Sequence, residues 1–315
     1  MKNTILPGLL AILLISCSPQ RSNSKFSFQE NEKKVDLLEN GNAVFSYHKA
    51  QNSPDGEHFF SNYIHPLYSL SGDVLTEEFP EDHYHHRGIF WAWHQMYVNG
   101  EQVGDGWTME DISQEVIEVK TSTDHALAQL KINSHWKSPL FEGGDPFLSE
   151  QTTITVSPIE DGIRKIDFTI ALKAIVEGVE IGGSDNEKGY GGFCIRLKDP
   201  EDITFVSENK QISPKTNQVK AGPWMDFFAP FGKDKSVNGV AILCHPETPN
   251  HPAPWILRNE KSMQNIVYPG QNPVTIPVDE FLTLNYRVII HDGESSSVDL
   301  DKFYADYQKE EVLVK

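Results

Sequence analysis

Three features predict an all-β chain: one large antiparallel β-sandwich domain with a short C-terminal helix. Apolar and polar residues alternate through many short runs, the period-2 signature of half-buried strands. Turn dipeptides suited to two-residue hairpins, Asn40-Gly41, Asn99-Gly100 and Asp161-Gly162, punctuate those runs. No repeating helical pattern separates the strands, which argues against alternating βαβ units.

Taken in order, Val35 to Leu38 and Ala43 to Tyr47 read as the arms of the first hairpin. Ile89 to Val98 leads into Asn99-Gly100, and Glu115 to Val119 and Ala126 to Trp136 continue as strands. Thr152 to Val156 and Ile163 to Val176 flank Asp161-Gly162; Gly192 to Leu197, Gly239 to Leu243 and Leu282 to Ile290 follow. A helix through Phe303 to Gln308 has Ser297 or Asp299 as its candidate cap and acids early, as the macrodipole favours. The sandwich domain is expected over residues 35–315.

Residues 1–16 read as a signal peptide: one Lys, then an apolar stretch too short to span a bilayer as a mature helix. Leu14-Ile15-Ser16-Cys17 resembles a lipobox, which makes Cys17 the lipidation site. The expectation is a cell-envelope lipoprotein on the outer membrane facing the periplasm, touching membrane only through its lipid. Polar residues 17–34 read as a flexible tether. Of the other two cysteines, Cys194 and Cys244, both in apolar runs, a disulfide and two buried thiols are equally compatible readings.

A formal net charge of −18 excludes a basic nucleic-acid footprint and leaves a small molecule or oligosaccharide as the partner.

The densest chemistry is Asp82-His83-Tyr84-His85-His86-Arg87, with three of the twelve histidines of the chain. Histidine titrates near neutrality, so such a cluster suits proton transfer. Arg87 offers a permanent charge for orienting a ligand. A proline-rich loop from His245 to Trp255 holds His245, Glu247 and His251, and proline fixes side chains at low entropic cost. Glu187 and Tyr190 sit in a glycine-rich stretch where backbone can approach a ligand closely. The expected catalytic set is His83, His85, His86, Arg87, His245, Glu187 and Glu247. The expected substrate contacts are His65, Tyr190, Trp224, His251, Trp255, Arg258 and His291. Trp91 or Trp93 offers a sugar platform or core packing. No cofactor is expected and no metal site is assigned. The alternative is a divalent metal held by His83 and His85, as H-x-H on an extended segment, with His86, His245 or His291.

Tyr63-Ile64-His65-Pro66-Leu67-Tyr68, Asp82-His83-Tyr84-His85-His86-Arg87-Gly88, Tyr190-Gly191-Gly192-Phe193, His245-Pro246 and His291-Asp292-Gly293 together resemble a bacterial family of unknown function. Its members carry the label "PmoA family". That resemblance, over residues 35–300, implies a carbohydrate role and transfers no catalytic residues. The all-β reading is also similar to galactose-mutarotase-like supersandwiches, in which a histidine and a carboxylate exchange protons with a sugar. The expectation is therefore a sugar-acting acid–base enzyme: an epimerase, a lyase or a glycoside hydrolase. A non-catalytic carbohydrate-binding lipoprotein and a histidine-ligated metal enzyme are the rivals.

Overall fold

Hairpin dipeptides and alternation set the strand boundaries seen in the computed structural model, which describes residues 25–124, 126–198, 202–261 and 263–312. The expected signal peptide, Cys17 and the expected tether up to residue 24 lie outside the described residues. The strands are β1 (Phe26–Glu30), β2 (Lys34–Glu39), β3 (Asn42–His48), β4 (Tyr63–Leu67), β5 (Ile89–Trp93), β6 (Gln95–Val98), β7 (Glu101–Gly104), β8 (Ser113–Thr123), β9 (Ala128–Lys137), β10 (Pro146–Val156) and β11 (Ile163–Ala174). They continue as β12 (Val179–Gly182), β13 (Gly191–Arg196), β14 (Thr204–Ser207), β15 (Lys210–Gln211), β16 (Trp224–Ala229), β17 (Asn238–Cys244), β18 (Trp255–Ile256), β19 (Met263–Val267), β20 (Val274–Thr275) and β21 (Leu282–Asp292).

One sheet runs β1-β2-β3-β4-β5-β13-β19-β18, and a second runs β15-β14-β16-β17-β21-β11-β10-β9-β8. A small sheet, β20-β12-β6-β7, stands beside them. Neighbouring strands pair antiparallel, so the all-β expectation holds. The tether reading needs shortening: Phe26–Glu30 pairs along β2, and Phe26 is buried. Asn40-Gly41, Asn99-Gly100 and Asp161-Gly162 all have positive φ, as tight hairpin turns require. The single strand expected over Ile89 to Val98 instead breaks at His94, where the chain leaves the first sheet for the small one.

Rings interlock between the two large sheets: Trp91 against Phe168 (6.4 Å), Phe168 against Phe193 (5.0 Å) and Phe193 against Tyr286 (4.8 Å). Trp91 and Trp93 belong to this core and are fully buried, which removes them as sugar platforms. A carboxylate lies within the same layer. Glu150, on β10, accepts from the Trp91 and Trp136 indoles (2.9 Å each), Asn62 (2.8 Å) and Thr152 (2.7 Å). A second polar tie joins Glu39 of β2 to Arg164 of β11 at 2.9 Å. Cys194 and Cys244 are both free and buried, so the two-thiol alternative is the correct one.

The C-terminal helix α1 (Leu300–Tyr307) is capped by Asp299, one of the two candidates, whose side chain accepts from the Lys302 backbone at 3.0 Å. Ser297 instead ends a short 3-10 turn. Leu300 and Tyr307 pack with Trp224 and Ile289 on the outer face of the second sheet. Among the described residues no helix is long and apolar enough to cross a membrane.

Glu150→Gln should destabilise the fold by about 2–5 kcal/mol, because its amide would point N–H groups at indole donors inside the core. Denaturant unfolding, with near-UV circular dichroism of the tryptophans, checks it.

Candidate active site

Two successive turns build the histidine cluster. The His83 backbone N–H donates to Pro80 and that of His86 to His83, at 2.9 Å each. The Glu78–Arg87 bridge closes their base. Gly88 then crosses β4 so closely that a Cβ there would stand 1.9 Å from the Ile64 carbonyl oxygen. Only glycine permits this approach at its φ of +51°.

The result is a cavity of about 430 Å³. His83, His85, His86 and His94 contribute four imidazoles to its wall. Trp107 and Tyr190 add aromatic rings, and Lys188, Arg258, Glu260 and Lys261 add charge. His83 and His86 stack in parallel at 4.6 Å, and His85 stands perpendicular to His86 at 4.7 Å. Trp107, itself buried, joins the two groups of histidines. Its ring stacks on His94 at 5.1 Å and meets His86 edge-on at 6.2 Å. Asp105 sets Trp107 in place, because its Oδ1 accepts from the Trp107 and Thr108 backbones (2.8 and 3.1 Å) in an Asx turn. Gly106 leaves room for the Met96 sulfur, 2.6 Å from where a Cβ would lie.

Two of the histidines are held by carboxylates. His94 Nδ1 lies 2.8 Å from Asp105 Oδ2, and His83 Nδ1 lies 2.7 Å from Asp82 Oδ2. An ionised carboxylate only accepts, so both rings carry the proton on Nδ1 when neutral and keep Nε2 as a base. Burial opposes ionisation of Asp105, yet His94 and the Thr108 and Trp107 backbone N–H groups hold its carboxyl below the usual range. Burial likewise opposes ionisation of Asp82, and His83, Arg196 and Lys261 hold it low.

His86 has the opposite tautomer. Arg196 Nη1 donates to its Nδ1 at 3.3 Å, so Nε2 carries the hydrogen. Burial, then His85, His83, Arg196 and Arg87, push His86 well below the ordinary histidine value. Burial and the neighbouring His83, Arg87 and His94 bring His85 down to about 3. Its Nδ1 is buried without a partner. One cavity is therefore faced by a ring that donates from Nε2 and by two rings whose Nδ1 is held by a carboxylate. Among the described residues no three His, Cys, Asp or Glu side chains are grouped as metal ligands.

His83, His85, His86, Tyr190 and Arg258 thus come together as expected site residues, and the other nine do not line this cavity. Arg87 is fully buried between Phe60 and Phe90, 4.7 and 4.6 Å from the ring centroids, and donates to the His85 carbonyl at 2.9 Å. It supports the cluster from behind and does not line the cavity. The proline-rich loop is a seat for α1 rather than the opposite wall. His245 packs edge-on against Tyr307 (5.0 Å), His251 meets the Tyr304 hydroxyl (2.9 Å), and Glu247 is exposed beside them. Trp224 donates to Asp301 at 3.1 Å, beneath the same helix. Trp255 is buried and donates to the Gly222 carbonyl at 3.3 Å. His291 pairs with Asp226 at 3.1 Å, both fully buried. His65 meets the Thr76 hydroxyl at 3.0 Å. Glu187 is exposed and accepts from Asn217 at 2.7 Å. Gly191 and Gly192 leave room for the backbones of Gly183 and Tyr268. Sequence reasoning missed His94 as a site residue, together with Asp105, Trp107, Lys188, Glu260 and Lys261.

Residues 34–305 match DUF6807, a family of unknown function. The chain belongs to that family. Unknown function is what the motif resemblance implied, and nothing in the DUF6807 match carries the PmoA label. No curated protein matches the chain. Among solved structures it is similar to galactose 1-epimerase from Lactobacillus acidophilus NCFM: 10% identity, 87% of this chain and 100% of that one, TM-score 0.41. A mutarotase candidate from Salmonella typhimurium gives 8% identity, 88% and 96% coverage and a TM-score of 0.35. Likeness at that level transfers no residue role to a DUF6807 chain.

His85 and His86 are depressed in the folded state, so the unfolded chain binds more protons below about pH 6.5 and stability falls as pH drops. For His85 the loss runs from about 6.5 down to about 3. His85→Gln should recover on the order of 2–3 kcal/mol at pH 4 relative to wild type. Chemical unfolding at pH 7 and pH 4 measures it.

Proposed function

We propose that this protein is a carbohydrate-active enzyme that moves protons on a sugar by histidine–carboxylate chemistry in the His83–His94 cavity. The observation that carries this reading is the pair of carboxylate-held histidines, His94–Asp105 and His83–Asp82, beside a third ring that presents Nε2–H. A carboxylate-held imidazole and a hydrogen-bond donor then stand on one wall, the pairing that general acid–base catalysis uses. A space of about 430 Å³ accommodates a mono- or disaccharide, and its wall is rich in polar groups suited to hydroxyls. His94 would take the proton, with Asp105 holding its tautomer. His86 would donate from Nε2, and His83 would serve as the second base.

Glycoside hydrolysis ordinarily needs two free carboxyl groups flanking the bond. Glu260 is the carboxylate residue on the wall, while Asp82 and Asp105 are engaged with histidines. That favours epimerisation or elimination. A set of histidines gathered on one cavity wall also favours an enzyme over the binding-lipoprotein alternative, which calls for an open aromatic face.

Incubating the protein with mono- and oligosaccharides in D₂O and following carbon-bound deuterium by NMR tests the reading. His94→Ala and Asp105→Asn should each lower exchange by at least about a hundredfold with folding intact. Chelator should leave it unchanged. Undiminished exchange in both variants would remove the proposal; loss with chelator and recovery with a transition metal would replace it by the metal alternative. Envelope anchoring through Cys17 is likewise proposed, from the leader. Radiolabelled palmitate should enter the wild type and not Cys17→Ser.

A further inference from the structure

We propose that the occupant of the cavity is a sugar acid whose carboxylate lies at Lys188, on the Tyr190–Arg258 side of the wall. This rests on the carbohydrate reading above and narrows its substrate class.

The chain has 45 acidic residues against 27 Lys and Arg, yet the cavity wall has three cations, Lys188, Arg258 and Lys261, against Glu260. Other cations around the site are already neutralised. Lys261 lies 3.5 Å from Asp82, and Arg196 lies 2.9 Å from Glu77 and 3.4 Å from Asp82. Lys188 and Arg258 are different: among the described residues neither has a carboxylate within salt-bridge reach. Arg258 donates to the carbonyls of Lys215 and Thr216 (2.9 Å each) and Leu257 (2.8 Å), and to the Tyr190 hydroxyl. These neutral acceptors orient the guanidinium without cancelling its charge. Lys188 Nζ and Arg258 Cζ lie 5.8 and 5.6 Å from the centroid of the same Tyr190 ring.

A third cation with no carboxylate partner among the described residues lies behind the wall. Arg87 is fully buried, its Nε and Nη2 have no partner, and its one donated bond goes to the backbone of His85. A buried charge left unpaired is costly. A nearby anion would offset part of that cost, and the cavity wall provides a place for one.

The chemistry of a sugar acid also fits the bases present. Tyr190 oxygen accepts from Arg258, so its own O–H is free to donate, and Lys188 can bind the carboxylate directly. Neutralising that carboxylate makes the adjacent C5–H more acidic. A histidine base takes the C5 proton, and the electron pair moves into the carboxylate as an enediolate. Return of a proton to the other face gives the C5 epimer. Expulsion of the C4 substituent, protonated as it leaves, gives a C4–C5 double bond. Neither route needs an oxidant or reductant.

Isothermal titration with D-glucuronate and D-galacturonate, against D-glucose and D-galactose, tests the assignment. At least one uronate should bind tenfold or more tighter than its neutral parent, and 0.5 M NaCl should weaken only the uronate. Lys188→Gln should abolish the preference with unchanged melting, and Lys188→Arg should restore most of it. Equal or tighter binding of the neutral sugars would overturn the sugar-acid assignment while leaving the carbohydrate reading intact. A uronate preference that survives in Lys188→Gln would overturn the placement at Lys188. If none of the four binds, both readings fall.

Discussion

Glu150 is the residue on which the two sheets depend. A carboxylate removed from water needs several donors, and here four converge on it from β5, β9, β10 and the turn before β4. Tyr47 extends the network by donating to Asn62 at 2.9 Å. The arrangement makes Trp91 a structural clamp as well as core. It also fixes the depth and register of β5, the strand whose two ends carry Arg87 and His94. The cavity therefore depends on a carboxyl group fully buried in the core.

Much of the scaffold was legible because its signals are local. Asn40-Gly41, Asn99-Gly100 and Asp161-Gly162 state their turns in two residues, and alternation along β9 and β10 states which side chains face inward. The Asp82–Arg87 segment announced itself by histidine density. Its guanidinium was misread because sequence cannot tell an arginine that reaches out of a cluster from one that lies under it. Phe60 and Phe90, which enclose Arg87, are distant or unremarkable in sequence. The proline-rich loop looked like a site for the same chemical reasons, but Tyr304 and Tyr307 of the helix occupy its histidines.

His94 and Asp105 were derivable and were missed. With the turn at Asn99-Gly100, Val98 pairs with Glu101 and Tyr97 with Gln102. Carried back towards the start of the hairpin, past a register shift that sets Met96 opposite Gly104, the pairing brings position 94 close to 105. The signal was a hairpin already recognised, read for its fold and not for the pair it creates. Nothing comparable linked Lys188 or Glu260 to the cluster, since their proximity comes from long loops whose course no dipeptide sets.

The break between β5 and β6 has a mechanical meaning. His83, His85 and His86 are held by the large sheet, whereas Asp105 and Trp107 follow β7 of the small one, and His94 stands at the corner. Gln95 braces that corner by donating to the Gly183 and Gln271 carbonyls at 2.7 Å each. The cavity is thus a caliper whose two jaws belong to different sheets. Its gauge is set where those sheets meet, at a glutamine next to His94 whose side chain donates to backbone carbonyls beyond the cavity wall.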